Sequence, residues 1–188
     1  MHLATTEAGN ELLAHDPLAL LIGMLLDQQI PMEKAFTSPS VLRDRLGHDL
    51  DAAEIANFDP DAFEAIFREV PALHRFPAAM AKRVQELCRV LVERYDGRAS
   101  TVWEGAADGP DLVKRMGTLP GFGEQKAKIF VALLGKQFAV RPSGWQQAAG
   151  AYGEQGSFRS VADVVDPESL KKVRAHKQQL KAAAKAKA

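Results

Sequence analysis

The chain has 188 residues, the length of one domain or one two-lobed module, and is 46% hydrophobic and 26% charged, which excludes a disordered or low-complexity chain. A single cysteine, Cys88, excludes an internal disulfide framework, a cysteine-built zinc site and a four-cysteine iron–sulfur cluster. The formal charge is zero, yet seven Lys or Arg and no acid follow position 170, so residues 1–170 carry −7 against +7 for the tail. That asymmetry fits either a polyanionic partner for the tail or a solvated helix end.

The N-terminal stretch MHLATTEAGNELLAHD has no basic segment leading into an apolar core, so no secretory signal is read there. The longest apolar run, Pro17 to Leu26, has about half of the ~20 residues that a bilayer span needs. A soluble, cytoplasmic chain without membrane contact is expected. Three Asp-Pro pairs, Asp16-Pro17, Asp59-Pro60 and Asp166-Pro167, each announce a helix: Asp accepts from first-turn N–H groups, and Pro at the first position forfeits no hydrogen bond. LALLIGMLLDQQ is apolar on all sides until Asp27, as a central bundle helix requires. Phe63, Ile66 and Phe67 share a face after Pro60. From Pro77 to Tyr95, Met80, Val84, Leu87, Cys88, Leu91 and Val92 recur at spacings of three and four, and Asp96-Gly97 ends the helix. A short helix is expected after Pro110, and another from about Glu124 to Leu134, stopped by Gly135. Residues 147–160 are small and Gly-rich and read as an irregular connection. No stretch shows sustained strand alternation, so the fold is all-α.

Between the last two of these helices lies Leu119-Pro120-Gly121-Phe122-Gly123. Two glycines at spacing two allow a sharp reversal and expose successive N–H groups beside a helix N-terminus, a cradle for one phosphate. A plain structural turn is the equal alternative on the string alone. Leu119 anchors the hairpin, and Ala127 gives the second helix a small face.

LPGFGEQKA resembles the LPGxGxxxA hairpin of the helix-hairpin-helix DNA glycosylases, the superfamily of endonuclease III, the adenine glycosylase and the 3-methyladenine glycosylases. About ninety residues upstream, LLIGMLLDQQI is similar to the superfamily's buried helix ending in a polar pair, and FPAAMAKRVQELCRVLVERYDG to the helix before the hairpin. The resemblance spans roughly residues 17–135. It implies a two-lobed helical fold: a six-helix lobe over 17–136 containing the hairpin (about 110–135), a second lobe from 1–16 plus 137–188, and a DNA cleft between them. It further implies double-stranded DNA as partner, a monomer, contacts to DNA along Leu119, Gly121, Phe122, Gly123 and Lys126, and a monovalent cation held by the turn's carbonyl oxygens. No other cofactor is expected.

The departures from the family pattern concern chemistry. The slot of the lysine nucleophile of bifunctional members holds Gln125, and Lys126 is about 100° further around the helix. Some eighteen residues on, where the superfamily places an aspartate, Val140-Arg141-Pro142-Ser143-Gly144-Trp145 offers no acid. The cysteine cluster of endonuclease III is absent too, leaving a layout closer to the cluster-free alkyl-base enzymes.

Gln28 and Gln29 are suited to filling the space of a flipped base, because an amide both donates and accepts; the alternative is a helix end turning polar before Pro31. Asp27 is either a partly buried carboxylate with a raised pKa, fit for acid–base work, or an exposed helix-end acid. Trp145 offers an indole for stacking on a base or a core contact, and Tyr152 has the same two readings. The five histidines show no metal-ligand spacing. The expected function is base excision by a monofunctional glycosylase that hydrolyses the N-glycosidic bond of a damaged or alkylated base; a charged alkylated base leaves easily and tolerates the missing aspartate best. The alternative is a non-catalytic module that binds bent or damaged duplex.

Overall fold

A computed structural model describes residues 1–186; Lys187, the last cation of the basic tail, lies outside the described residues. Eleven α-helices and two 3-10 turns follow one another with no strand among the described residues. The Asp-Pro signals hold. Asp16 accepts from Leu18 N and Ala19 N at the start of α2 (Pro17–Leu26), and Asp59 accepts from Ala62 N at the start of α5 (Pro60–Arg68). Asp166 accepts from Ser169 N as α11 (Pro167–Ala186) begins. All of α2 after Pro17 is buried, which makes it the axis of the first group of helices. α1 (Glu7–His15) and α3 (Met32–Leu46) pack on it, while α4 (Ala52–Asn57) and α5 pack on α6 (Pro77–Tyr95). Gly23 permits the closest approach, since a Cβ there would lie 2.7 Å from the Phe36 ring of α3.

The second group holds α7 (Thr101–Glu104), α8 (Gly109–Gly117), α9 (Glu124–Gln137), α10 (Trp145–Ala149) and the 3-10 turns Gly150–Gly153 and Val161–Asp163, with α11 packed on the latter. The expected lobes are 17–136 against 1–16 plus 137–188, and helix contacts cross both of those boundaries. One residue, Asp16, both ends α1 and caps α2, so α1 has no length of chain with which to leave its neighbour. The hairpin helices α8 and α9 pack with α10, beyond position 136. Nor does Gly135 stop α9. A Cβ at Gly135 would sit 2.4 Å from the Trp145 ring, so this glycine exists to let the indole seat against the helix, and α9 runs on to Gln137.

Candidate nucleic-acid cleft

The chain reverses between α8 and α9 through residues 118–123. Thr118 N and Leu119 N donate to the carbonyls of Arg115 and Met116, and Phe122 N donates to Leu119 O at 3.0 Å. Gly121 is left-handed at φ +80°, and a Cβ there would lie 2.2 Å from Leu25 Cδ1 of α2; backbone and neighbour both demand glycine. Gly123 differs. Its φ of −72° suits any residue, no side chain caps α9, and a Cβ would meet open space. The first-turn N–H groups of α9 are therefore left to solvent or to an anion.

The hairpin rests on the C-terminal end of α2, and that end is crowded with donors. The Leu25 carbonyl accepts from Gln28 Nε2 at 2.9 Å and from Lys126 Nζ, 101 positions away, at 3.0 Å. Arg83 Nη1 donates to Gln28 Oε1 at 3.1 Å. His74 Nε2 meets the Gln28 carbonyl at 2.9 Å while its Nδ1 accepts from Phe76 N at 3.0 Å, a pair of contacts that fixes the neutral tautomer with hydrogen on Nε2. Burial also pushes the imidazole pKa down. Gln29 follows at φ +58°, exposed, with no side-chain hydrogen bond among the described residues. Of the two glutamines, Gln28 is spent on holding the turn and Gln29 projects.

Between this end of α2 and helix α11 opens a cleft of about 790 Å³ whose walls include Asp27, Glu33, Gln125, Lys126, Arg174 and Lys177. Arg174 of α11 pairs with Glu33 of α3 across it. Burial raises the Asp27 pKa, with Lys177 and Lys126 pulling it back. Burial likewise lowers the Lys126 ammonium to about 8, with Asp27 opposing. Each group is desolvated, and the charge of each partly offsets the effect of burial on the other. A side chamber of about 270 Å³ shares Asp27, Gln125, Ile129 and Lys177 with the cleft and adds Tyr152 and Arg159. Cys88 is no nucleophile here: burial pushes its thiol up to about 12.

The model of the HhH-GPD superfamily of base excision DNA repair proteins matches residues 22–188. The chain belongs to this superfamily. Neither the curated proteins nor the solved structures give a significant match. An HhH-GPD protein binds DNA and serves base excision repair, and no helix among the described residues is long and apolar enough to cross a membrane.

The HhH-GPD hairpin places its residues unequally. Gly121 and Gly123 present backbone at the surface, whereas Leu119 and Phe122 are buried, Phe122 edge-on to Phe130 with ring centres 5.8 Å apart. Their side chains hold the turn in the core, so any contact they make to DNA is through the main chain. Gln125, in the lysine slot, donates from Nε2 to Tyr152 Oη at 2.8 Å. Lys126 does reach the cleft despite its rotation, because its long side chain carries the ammonium to the Leu25 carbonyl at the end of α2. Lys128 instead pairs with Glu124. Trp145 is 8% exposed and packed on Gly135, which corrects the stacking role: its face is already covered. Where the superfamily's aspartate is absent, Arg141 Nε donates to the Gly135 carbonyl at 2.8 Å. The sequence reading missed Glu33, His74, Arg174 and Lys177. They meet the site across separations such as the 46 residues between Gln28 and His74, and no local pattern marks them.

Proposed function

We propose that this HhH-GPD protein is a monofunctional DNA glycosylase, acting as a monomer, in which Asp27 is the carboxylate of the reaction. The observation that carries the reading is the position of Asp27. It lines a cleft large enough for an extruded nucleotide, beside Gln125 and Lys126 of the hairpin helix. A base within a duplex is out of reach, so the enzyme must hold the backbone, fill the vacancy and enclose the flipped nucleotide. The N–H groups at Gly123 and the start of α9 suit one phosphate, and fix position without reading sequence. Gln29 is the residue free to enter the stack. When the bond between C1′ and the base nitrogen breaks, its electron pair leaves with the base and the sugar becomes cationic. Asp27 and the negative end of α2 face that charge. Water then adds to C1′ and gives up a proton, leaving an abasic site. Lys126 and Lys177 touch no reacting atom in this scheme; they favour the ionised form of Asp27 against the effect of its burial. A monovalent cation at the hairpin fits as a supplement, since the Leu119 carbonyl retains a lone pair after accepting Phe122 N–H.

The absence of an acid at the superfamily's usual place supports the second reading, a module that binds damaged duplex without cutting it. One experiment separates them. Duplexes carrying alkylated, deaminated, oxidised and abasic sites are incubated with the protein and treated with alkali to break any abasic site formed, with affinity measured in parallel by fluorescence anisotropy. Strand breaks at one lesion, lost in Asp27→Asn, are the result expected of a glycosylase. Selective binding without breaks leaves the binding module standing, and no duplex affinity at low salt refutes both.

A further inference from the structure

The side chamber beside Asp27 has a chemical bias that bears on which base it accepts, provided the protein is the lesion-recognising glycosylase proposed above. Its 270 Å³ suit one base rather than a whole nucleotide, and Ile129 and Val161 give it apolar surface. Of the polar groups around it, which include Gln125, Ser160 and His176, three are placed to donate: Tyr152, Arg159 and Lys177. Tyr152 Oη accepts from Gln125 Nε2, so its own hydrogen cannot point at Gln125 and is left to donate elsewhere. Arg159 lines the same space. Among the described residues its guanidinium spends one N–H on Glu154, at 3.1 Å from Nη2, and its Nε–H finds no acceptor. Lys177 adds a third donor, the second that is cationic. Asp27 is the one acid among the lining residues, and it stands where the chamber joins the larger cleft, the place of the glycosidic bond rather than of the base edge.

We propose that this chamber receives a neutral base rich in carbonyl acceptors, a deaminated or oxidised base, and rejects cationic N-alkylated bases. The carbonyl oxygens of such a base take the Tyr152 O–H and the Arg159 guanidinium while its ring lies on Ile129 and Val161. A site built of donors discriminates strongly, because a ligand lacking the acceptors leaves those donors unpaired. A positively charged base meets Arg159 and Lys177 as like charges. This parts from the expectation that an alkylated base, as the better leaving group, is the natural substrate.

The test uses the full chain and five duplexes that differ at one position: uracil, hypoxanthine, 8-oxoguanine, 7-methylguanine and the undamaged base. Affinity is read by anisotropy and excision by alkali cleavage. The uracil and hypoxanthine arms distinguish a deaminated substrate from the oxidised one. The wild type is expected to bind at least one of the neutral lesions, uracil, hypoxanthine or 8-oxoguanine, about tenfold or more above the cationic 7-methylguanine. Tyr152→Phe and Arg159→Gln should each cut that preference by about tenfold, with binding to undamaged duplex unchanged as the control for folding. Preference for 7-methylguanine, or a carbonyl preference untouched by both variants, overturns the proposal and leaves the glycosylase reading intact. No discrimination between any lesion and undamaged duplex overturns that reading as well.

Discussion

Replacing Gly123 by valine isolates the phosphate cradle from the stability of the hairpin. The site tolerates the change: φ −72° and ψ 173° are open to a β-branched residue, and the added Cβ meets nothing within 4 Å. Stability should therefore fall by about 1 kcal/mol, the scale of replacing a favoured glycine cap by a poor one. The same isopropyl group would stand over the N–H groups that a phosphate must approach. A hydrogen bond to a charged group contributes about 1.5–3 kcal/mol, so losing the contact should weaken binding by roughly 10- to 150-fold. The loss should be nearly equal for every duplex, because a phosphate carries no sequence information. Anisotropy titrations over a salt series, beside a thermal melt, read both quantities. Since the donors are neutral N–H groups, the salt slope should change less than it would on removing a lysine that neutralises a phosphate. Gly121→Ala serves as contrast: at φ +80° and 2.2 Å from Leu25 it should lower the melting temperature. Wild-type affinity in a folded Gly123→Val protein would refute the cradle.

Asp27→Asn should reduce excision by at least about 100-fold while leaving duplex binding unchanged or tighter; retained excision removes Asp27 from the mechanism. In the wild type the working form is the ionised carboxylate, and burial raises its pKa. Excision should therefore fall, as pH drops, sooner than an ordinary carboxylate would dictate; a pH–rate profile flat through the acid range contradicts this. Gln28→Ala, which cuts ties to Leu25, Met80 and Arg83, should cost about 1 kcal/mol or more of stability. Gln29→Ala should instead weaken binding to abasic duplex with no change in melting. Lys136 and Asp163 form an ion pair with side chains 8% and 4% exposed, so Lys136→Met should lower the melting temperature by roughly 10 °C, the expected cost of stranding a buried charge. Borohydride should trap no covalent complex on abasic DNA, because Gln125 fills the nucleophile's slot and the Lys126 ammonium is engaged by the Leu25 carbonyl. An adduct lost in Lys126→Ala refutes a purely hydrolytic site.

What was legible in the sequence follows from how local its cause is. Asp-Pro starts, the apolar α2 and the Gly-rich reversal are written within a few residues, and each stands where the pattern places it. α10 was hidden because five residues among glycines carry no periodicity, and its reality rests on Trp145 meeting Gly135 ten positions earlier. The lobe division is not written in the sequence for a related reason: the pattern reveals helices but not which of them share a core, and contacts such as those of α1 with α2 and α3 are visible only in three dimensions. Of the site, the glycines and the glutamine pair were visible by motif. The roles within each pair were not, because only three-dimensional partners such as His74 and Arg83 show that Gln28 is consumed and Gln29 is available.

The chemistry resisted the sequence most, and the geometry indicates why. A motif reading asks whether an acid stands eighteen residues beyond the hairpin lysine slot, and treats its absence as the loss of a carboxylate. A cleft has two walls, however, and a sugar between them takes its counter-charge from either. Here the hairpin is pressed so closely on the end of α2 that Leu25 excludes any side chain at Gly121 and shares its carbonyl with Lys126. That contact carries Asp27, the residue that follows the apolar run, to the hairpin's own cleft. On the wall where an acid was sought, Arg141 is tied back to Gly135. In the mechanism proposed above, Asp27 at the end of α2, with Lys126 and Lys177 lining the same cleft, takes over the electrostatic work with the walls exchanged, and such an exchange leaves no trace in any spacing along one chain. If Asp27→Asn and Arg141→Ala are compared in the same excision assay, the exchanged arrangement requires the first to be severe and the second mild; the reverse order would return the chemistry to the wall after the hairpin.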